Sequence, residues 1–379
     1  MANDFFRARR FIGSGDRRAV SDRVWHVLRT WRRLTWWLGD RPTPRLLVAA
    51  SLLLDGSSYA DVAAAFSGGR FAPIPLAPTE QAVLRRLEGR RLDHPSMADA
   101  VRLEVPDWLL PHINAADLRA LLEPAPLDLR VNLLKATRDE ARAALAAEGL
   151  DAIPTPLSPW GLRLEGRRKV TTGPAFRAGL VEIQDEGSQL VAALVRARPG
   201  MRVVDLCAGA GGKTLALAMT MQNRGQLVAC DVSAARLDGA VRRLRRAGVH
   251  NAERHLLTPG DKWIKRRAKN FDRVLVDAPC SGTGTWRRNP DARLRLTEAD
   301  LAELLPKQAR ILDQAAFLVR TGGRLVYATC SLLSEENEAQ VTAFLARHSD
   351  FTSVGDFLSL SPARHGTDGF FAAVLERHA

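Results

Sequence analysis

From residue 181 onward the chain alternates short apolar segments with longer amphipathic ones at a regular interval. Each of four apolar segments can form a buried strand, and the stretches between them carry apolar residues at helical spacing. Strands that alternate with helices in this way predict a parallel, doubly wound α/β sheet with helices on both faces. The four strand segments are MRVVDLC, GQLVACD, FDRVLVDA and GGRLVYAT.

Two different patterns precede this region. Apolar residues at three-and-four spacing between Gly and Pro punctuation predict an all-helical N-terminal domain, residues 1–123. After the proline-marked segment LLEPAPLD, short strand patterns flank one helical pattern and predict a small α/β module, ferredoxin-like or RRM-like, at residues 124–180. Residues 181–379 would then form the Rossmann-like domain.

The chain has a formal net charge of +13 and a sequence pI near 10.5. A balance this basic favours a polyanionic partner, nucleic acid first. With only seven lysines, part of the arginine excess can also reflect coding composition. Residues 1–50 hold eleven arginines against four aspartates, so the helical domain is a candidate RNA-binding surface, although a solvated helix face explains the same pattern.

Four cysteines are spread along the chain without a CxxC pair. This spacing argues against a metal site and against a disulfide framework, and it suits a reducing compartment. The N-terminus lacks the apolar core of a signal peptide, and no apolar run is long enough to span a bilayer. We therefore expect a cytoplasmic, monomeric protein with no membrane segment and no metal.

A strand runs directly into a glycine-rich turn and a helix at VVDLCAGAGGKTLALA, residues 203–218. Such glycines allow close backbone approach to a ligand at a helix N-terminus. A dinucleotide fingerprint would need glycine at Thr214, and a phosphate-binding loop ending in Lys213 would need glycine at Cys207. S-adenosylmethionine remains as the common alternative, with Lys213 and the backbone of 208–212 at its methionine moiety and Asp231 at its ribose.

Two further strand patterns end in chemically useful residues. Asp277 and Cys280 follow one strand, and Cys330 follows the next, so both thiols should meet at the ligand-binding edge of the sheet. A thiolate that adds to carbon 6 of a pyrimidine activates carbon 5 for attack on a methyl donor. Asp277 near N3 would stabilise the charge that develops or share the proton. Cys207 and Cys230 are interpreted as packing residues.

On these residues the chain resembles the RNA (cytosine-5) methyltransferase family, which includes the bacterial small-subunit ribosomal RNA enzyme and eukaryotic nucleolar relatives. The resemblance covers about residues 125–379. One departure is the loop CAGAGGKT, where the family commonly has CAAPGGKT. The blocks that carry the resemblance are RVNLLK at 130–135, QDEGSQL at 184–190, CAGAGGKT at 207–214, DAPCSGTG at 277–284, ATCS at 328–331 and DGFFAAVL at 368–375.

The resemblance implies that Cys330 is the nucleophile and that Cys280 assists product release. DNA cytosine-5 methyltransferases instead use the cysteine of the PC block, so the second cysteine favours RNA as the substrate. The implied cofactor contacts are Cys207, Ala208, Gly209, Ala210, Gly211, Gly212, Lys213, Asp231, Asp261 and Asp277.

RNA contacts are expected at two places, the RVNLLK block and the basic cluster WRRNPDARLR just after the PC block. The basic clusters RRLRR at 242–246 and KWIKRRAK at 262–269 also agree with an RNA substrate. Arginines near the second block could hold phosphates while the target base leaves its stack. Ribosomal RNA is the first candidate substrate. Transfer RNA is the alternative, and a pre-ribosomal assembly factor is the alternative from another class. The candidate RNA contacts are Arg130, Asn132, Lys135, Arg287 and Arg288.

Overall fold

The computed structural model describes residues 2–9, 11–39, 41–70, 72–166 and 168–378. The chain divides into a helical unit, Met1–Leu122 with Asn289–Arg295, and an α/β unit, Glu123–Arg288 with Leu296–Ala379. Across the described ranges, every helix is too short or too polar to cross a bilayer.

The helical unit is built from short amphipathic helices around one apolar core. Leu34, Leu53 and Leu84 are almost fully buried in that core. Thr43 begins one helix by accepting a hydrogen bond from Leu46 N at 3.3 Å, just before a proline in the first turn. The helices are α1 (Ala2–Arg7), α2 (Ser14–Arg29), α3 (Trp31–Leu38), α4 (Pro44–Leu54), α5 (Tyr59–Ala65), α6 (Pro78–Arg85), α7 (Asp99–Arg102) and α8 (Ala115–Ala120), with a 3₁₀ helix at Asp107–His112.

A short helix from a distant part of the chain, Pro290–Arg295, also belongs to the helical unit. Arg293 is 1% exposed, and its Nη2 donates to the carbonyl of Arg29 at 3.1 Å. Burial lowers the pKa of Arg293 to about 10, although the charge of Glu104 acts in the opposite direction. The predicted limit 1–123 lacks this segment, because a local pattern does not reveal which core a distant short helix joins.

The α/β unit begins with a four-stranded antiparallel sheet in the order β2-β3-β1-β4. With two helices it has the βαββαβ order of a ferredoxin-like fold, which confirms the predicted small module. Val181 pairs with Val131, so the module extends to residue 183 and past the predicted boundary at 180. Its elements are β1 (Leu127–Val131), α9 (Arg138–Ala146), β2 (Ala152–Pro154), β3 (Gly161–Leu164), α10 (Pro174–Arg177) and β4 (Val181–Ile183).

The larger sheet has the strand order β10-β12-β9-β8-β5-β6-β7, and β11 pairs with β12. The five strands from β9 to β7 in this order are parallel, which confirms the doubly wound prediction, whereas β12 runs antiparallel to β9. The strands are β5 (Arg202–Asp205), β6 (Gln226–Asp231), β7 (Ala252–Leu256), β8 (Phe271–Asp277), β9 (Val319–Thr329), β10 (Phe351–Ser353), β11 (Leu358–Leu360) and β12 (Phe370–Arg377).

Both faces of this sheet are buried, as its continuous apolar strands require. Val276 and Tyr327 pack into the core on one face, and Leu275 and Val326 pack into the core on the other. This alternation of successive residues follows from the two-residue period of a strand. The helices are α11 (Glu186–Leu194), α12 (Gly212–Thr220), α13 (Ala234–Ala247), α14 (Trp263–Arg266), α15 (Pro290–Arg295, in the helical unit), α16 (Glu298–Leu318), α17 (Glu338–Arg347) and α18 (Pro362–His365), with a 3₁₀ helix at Thr283–Thr285.

Candidate active site

A pocket of about 520 Å³ lies beyond the carboxyl ends of the parallel strands. The chain reverses its direction of winding between β5 and β8, and such a switch point opens a crevice for a ligand. Segments following β5, β6, β8 and β9 all contribute to the wall of the pocket. The predicted residues on this wall are Cys207, Ala208, Gly209, Ala210, Gly212, Lys213, Asp231, Asp277, Cys280 and Cys330.

The glycine loop forms one side of the pocket, between β5 and α12. Gly209 and Gly211 have φ values of 54° and 79°, a left-handed conformation that glycine adopts without strain. A Cβ atom at Gly211 would also lie 3.1 Å from the Cβ of Ala240. Ala210, which stands where the family commonly has proline, accepts a hydrogen bond from Arg243 Nη1 at 2.7 Å. The loop is therefore held by α13 as well as by its own backbone.

Asp231 ends β6 and faces the glycine loop. One carboxylate oxygen accepts from the backbone of Gly209 and the other from the backbone of Ser233, each at 2.8 Å. A carboxylate has about four acceptor positions, so two remain for hydroxyl groups in the pocket. The structure thus brings together the glycine turn and the acid that the sequence predicted as partners.

Asp205, at the end of β5, is a site residue that was not predicted from the sequence. It is fully buried beneath the loop and accepts the hydroxyl of Thr214 at 2.7 Å. Burial raises its pKa to about 7, and the charge of Asp277 acts in the same direction. Its Oδ1 has no hydrogen-bond partner among the described residues. In the sequence, the position of this aspartate at the end of the apolar segment VVDLCAG was the feature that could have identified it as a site residue.

Lys213 and Asp277 form an ion pair across the pocket, with 2.6 Å between Nζ and Oδ2. Burial alone would lower the pKa of Lys213, but the charge of Asp277 and the hydrogen bond to it outweigh burial and raise it. Because Lys213 belongs to α12 and Asp277 to β8, the pair fixes the glycine loop relative to the strand that carries the first cysteine.

The Sγ atoms of Cys280 and Cys330 lie 3.5 Å apart. This contact follows from the register of β8 and β9, in which Asp277 pairs with Ala328, and from a hydrogen bond of 3.0 Å between Gly284 N and the Cys330 carbonyl. The pKa of Cys280 is raised by its hydrogen bond to Cys330, then by burial. Two thiols therefore face the same pocket from adjacent strand ends.

The other two cysteines differ from this pair. Cys230 lies inside β6 and is fully buried, whereas Cys207 is on the pocket wall. Burial raises the pKa of both thiols, so each remains protonated near neutral pH. Neither has the environment of a reactive thiolate.

Comparison with known proteins identifies the family. A family model described as 16S rRNA methyltransferase RsmB/F matches residues 192–376, and one for the ferredoxin-like domain of RsmF/B-like methyltransferases matches residues 105–171. A Synechocystis relative named probable ribosomal RNA small subunit methyltransferase B is 34% identical over 96% of this chain and 91% of its own length. The chain belongs to the RsmB/F methyltransferase family.

Two further proteins support membership of the RsmB/F family. Ribosomal RNA small subunit methyltransferase B of Xylella fastidiosa is 38% identical over 90% of this chain and 86% of its own length. The solved structure of a methyltransferase homolog from Pyrococcus horikoshii matches with a TM-score of 0.66 and 28% identity, over 76% of this chain and 100% of that one. The predicted family and the predicted cofactor, S-adenosylmethionine, are confirmed.

The pocket fits the RsmB/F cofactor. Its volume lies within the usual range for a small-molecule site. Free acceptor positions on Asp231 suit the two hydroxyls of a ribose, and the left-handed glycines keep side chains away from the loop backbone. Lys213, Asp277 and the backbone from Cys207 to Gly212 would surround the methionine moiety.

Asp261 does not reach the pocket, contrary to the expectation from the RsmB/F resemblance. Its carboxylate pairs with His255 Nε2 at 2.6 Å and accepts from Trp263 N at 2.8 Å. The hydrogen bond from His255 lowers the pKa of Asp261, and the bond from Trp263 adds to this effect. Leu257 occupies the pocket wall in this region instead. Asp261 therefore organises the start of α14.

The three candidate RNA contacts in the RVNLLK block bond within the α/β unit. Arg130 is 2% exposed, and its Nη1 donates to Gln184 and, at 2.8 Å, to the carbonyl of Gly212. Asn132 Nδ2 donates to Ala247 O at 2.8 Å, and Lys135 Nζ donates to Arg246 O at 2.7 Å. These bonds connect the ferredoxin-like module to α12 and α13. These contacts give the RVNLLK block a structural role. That the block also contacts RNA remains a prediction.

Arg287 and Arg288 are also bound inside the protein. Arg287 is 6% exposed and lies 3.0 Å from Asp368, and Arg288 contacts both Asp368, at 2.5 Å, and Asp185, at 2.8 Å. Such an ion network anchors the segment after the PC block to β12 and α11. Sequence position alone could not show these acidic partners, which are far away in the chain.

Proposed function

We propose that this protein transfers a methyl group from S-adenosylmethionine to carbon 5 of a cytidine in ribosomal RNA of the small subunit. The observation that carries the proposal is the pair of thiols, Cys280 and Cys330, 3.5 Å apart at the wall of the cofactor pocket. Methylation of a ring nitrogen or of a hydroxyl needs no thiol, whereas carbon 5 of a pyrimidine needs prior addition at carbon 6. The names of the relatives favour small-subunit ribosomal RNA as the substrate.

In the proposed mechanism Cys330 is the nucleophile. The sulfur loses its proton to a base and forms a bond to carbon 6, and the electron pair of the C5–C6 double bond shifts onto the ring, which makes carbon 5 nucleophilic. The cofactor supplies an electrophilic methyl group carried on a sulfonium. After carbon 5 has gained the methyl group it loses its proton to a base, the double bond re-forms, and the sulfur–carbon bond breaks. Cys280 assists this release.

Asp277 is placed to stabilise the activated base. The carboxylate is held by Lys213 at 2.6 Å, and its side chain remains 32% exposed toward the pocket. A carboxylate there can share a proton with N3 of the cytosine as electron density develops on the ring. The contact with Lys213 holds the Asp277 carboxyl group in place before the base arrives, so the acid is oriented in advance.

The basic charge of the chain supports an RNA substrate. Phosphate neutralisation by arginine and lysine supplies most of the affinity for nucleic acid, and this chain carries a net charge of +13. Residues 1–50, with eleven arginines, lie in the helical unit. We propose that this unit contributes RNA affinity while the α/β unit carries out the chemistry.

Bisulfite sequencing of total RNA from cells with and without the protein tests the substrate. One cytidine of small-subunit ribosomal RNA should lose its protection when the protein is absent. Protection lost only in transfer RNA would change the substrate assignment. An unchanged map, together with full rescue of a deletion strain by Cys330→Ala, would favour an assembly factor and overturn the proposal.

A further inference from the structure

The cofactor pocket has a polar end where the ferredoxin-like module contacts the glycine loop. Gln184 directly follows β4 of the module, Ser188 lies in the first turn of α11, and Gly212 begins α12; all three line the pocket. Gln184 is 8% exposed, and its Nε2 donates to the hydroxyl of Ser188 at 3.0 Å. Side chains from outside the glycine loop therefore form part of the pocket wall.

A buried arginine fixes the orientation of the Gln184 amide. Arg130 donates through Nη1 to Gln184 Oε1, and through the same nitrogen to the carbonyl of Gly212 at 2.8 Å. Because a guanidinium group only donates, the amide oxygen must face Arg130, and the amide nitrogen is turned toward Ser188. One N–H of Gln184 and the hydroxyl proton of Ser188 have no acceptor among the described residues. Two hydrogen-bond donors are thus left for a ligand.

Gly212 keeps open the space beside these donors. Unlike Gly209 and Gly211, it does not have a left-handed φ, so its backbone conformation does not require glycine. A Cβ atom at Gly212 would lie 3.7 Å from Gln184 Nε2 and 3.7 Å from Arg243 Nη2, which is ordinary contact. The absence of a side chain here therefore leaves room between two nitrogen donors for an atom that is not part of the protein.

The charges around this space favour an anion. Arg130 is 2% exposed, and Arg243 and Arg246 share the single carboxylate of Glu182. Asp185, at the start of α11, is already paired with a fourth arginine. A carboxylate bound here would accept charge-assisted hydrogen bonds, which are roughly twice as strong as neutral ones, whereas an ammonium group would meet an excess of like charge.

We propose that Gln184, Ser188 and Arg243 bind the carboxylate of S-adenosylmethionine, so that the end of the ferredoxin-like module completes the cofactor site. Lys213 is already paired with Asp277 at 2.6 Å, so the carboxylate needs other donors. The inference goes beyond the proposed function, because it concerns the cofactor and holds for any base that is methylated. An RNA phosphate is the other anion that these donors could bind, and the test separates the two.

The test compares two ligands that differ only in this carboxylate. S-adenosylmethionine and its decarboxylated analogue share the adenosine, the sulfonium and the ammonium group, and isothermal titration calorimetry measures the binding of each to the intact protein without RNA. Gln184→Glu keeps an oxygen for Arg130 and replaces the N–H donors by a second oxygen. It should raise the Kd for S-adenosylmethionine at least about tenfold. The Kd for the decarboxylated analogue should stay the same or fall.

Matched variants separate carboxylate binding from a general disturbance of the pocket. Gln314→Glu makes the same change on the pocket wall from α16, which packs on the other face of the sheet from α11. It should leave the ratio of the two Kd values close to that of the wild type. Ser188→Ala removes one donor and should weaken the binding of S-adenosylmethionine alone, by a factor of several.

Two results would overturn the proposal. If Gln184→Glu weakens both ligands equally, Gln184 only supports the glycine loop. If this variant weakens RNA binding and leaves the affinity for S-adenosylmethionine unchanged, the donors bind a phosphate. Should Gln184→Glu fail to fold, Ser188→Ala decides in its place, because an unchanged ratio of the two Kd values in that variant contradicts the proposal.

Discussion

Cys280 and Cys330 are fifty residues apart in the chain, yet their sulfurs lie 3.5 Å apart in the structure. The proximity comes from two parallel strands that end at the same edge of the sheet. Both thiols can therefore reach one substrate bound in the same pocket.

The alanine variants of these cysteines should fail at different steps. Cys330→Ala should bind RNA and cofactor without forming a covalent complex, since it lacks the sulfur that adds to carbon 6. Cys280→Ala should add and methylate but stall before release, leaving an adduct that survives denaturing electrophoresis and requires the methyl donor. An adduct from Cys330→Ala, with none from Cys280→Ala, would reverse the two roles.

Removing Lys213 should weaken cofactor binding. Lys213→Met leaves Asp277 without its partner at 2.6 Å, and the start of α12 loses its connection to β8. We expect at least a tenfold increase in the Kd for S-adenosylmethionine by isothermal titration calorimetry. In a double-mutant cycle with Asp277→Asn, the coupling in the free energy of unfolding should be roughly 1–3 kcal/mol. Additive effects would show that the pair contributes little.

Asp205 should make the protein less stable as pH rises. Burial raises its folded-state pKa to about 7, while the unfolded value is close to the ordinary one, so the folded protein binds more protons between these pH values. The free energy of unfolding should therefore fall from pH 4 to pH 7, by up to about 4 kcal/mol. Asp205→Asn should remove this slope in urea titrations and be more stable than the wild type at pH 8. If the free energy of unfolding falls with pH equally in both proteins, the pH dependence does not come from Asp205.

Arg130 should affect the cofactor loop rather than RNA affinity. Arg130→Met retains most of the volume but removes the donor shared by Gly212 O and the buried side-chain oxygen of Gln184, at a cost of about 1–3 kcal/mol. Cofactor affinity should fall several-fold, and the slope of log RNA affinity against log salt should stay the same. Arg142→Met, on the exposed side of the same module, is the control. If Arg130→Met reduces the slope of log RNA affinity against log salt and Arg142→Met does not, the predicted contact between Arg130 and RNA would be supported.

Exposed arginines of the helical unit should set part of the salt dependence of RNA binding. Replacing Arg18, Arg41 and Arg90 by glutamine should reduce the slope of log affinity against log salt by roughly 0.7–0.9 for each phosphate that is no longer neutralised. Cofactor affinity should not change. The control replaces three exposed arginines of the α/β unit, Arg142, Arg198 and Arg364, by glutamine. If this control reduces the slope of log affinity against log salt equally, RNA binding depends on the total charge and not on a specific surface of the helical unit.

The sequence predicted those parts of the fold and site that depend on local pattern. The strand ends, the glycine turn and the positions of Cys280 and Cys330 follow from periodicity and punctuation, and all of them lie at the edge of the sheet that the doubly wound topology predicts. Asp205 was not predicted, because an acid within an apolar segment gives no sign of what its carboxylate will contact.

The charge of a side chain was the least reliable guide to whether that side chain faces solvent or an internal partner. Arg130, Arg287 and Arg288 were chosen as RNA contacts because they lie in basic or reactive segments, but each is bound to groups far away in the chain. Asp261 has a nearer partner, His255, six residues earlier at the end of β7, but no pattern in that segment indicates the pairing. Whether a charged residue faces solvent or an internal partner depends on tertiary structure, which no short window of sequence contains.

The pairing of β8 with β9 also limits how such a chain can change over evolutionary time. A register shift of one residue would move a strand end by about 3.3 Å and turn its side chains to the opposite face. The irregularity in this pairing lies between Phe271 and Arg273, at the end far from the sulfurs, and the register is regular from there to Asp277. We therefore expect an insertion near the cysteine end of β8 or β9 to inactivate the protein, unless the other strand gains an insertion of the same length. The two strands must change length together.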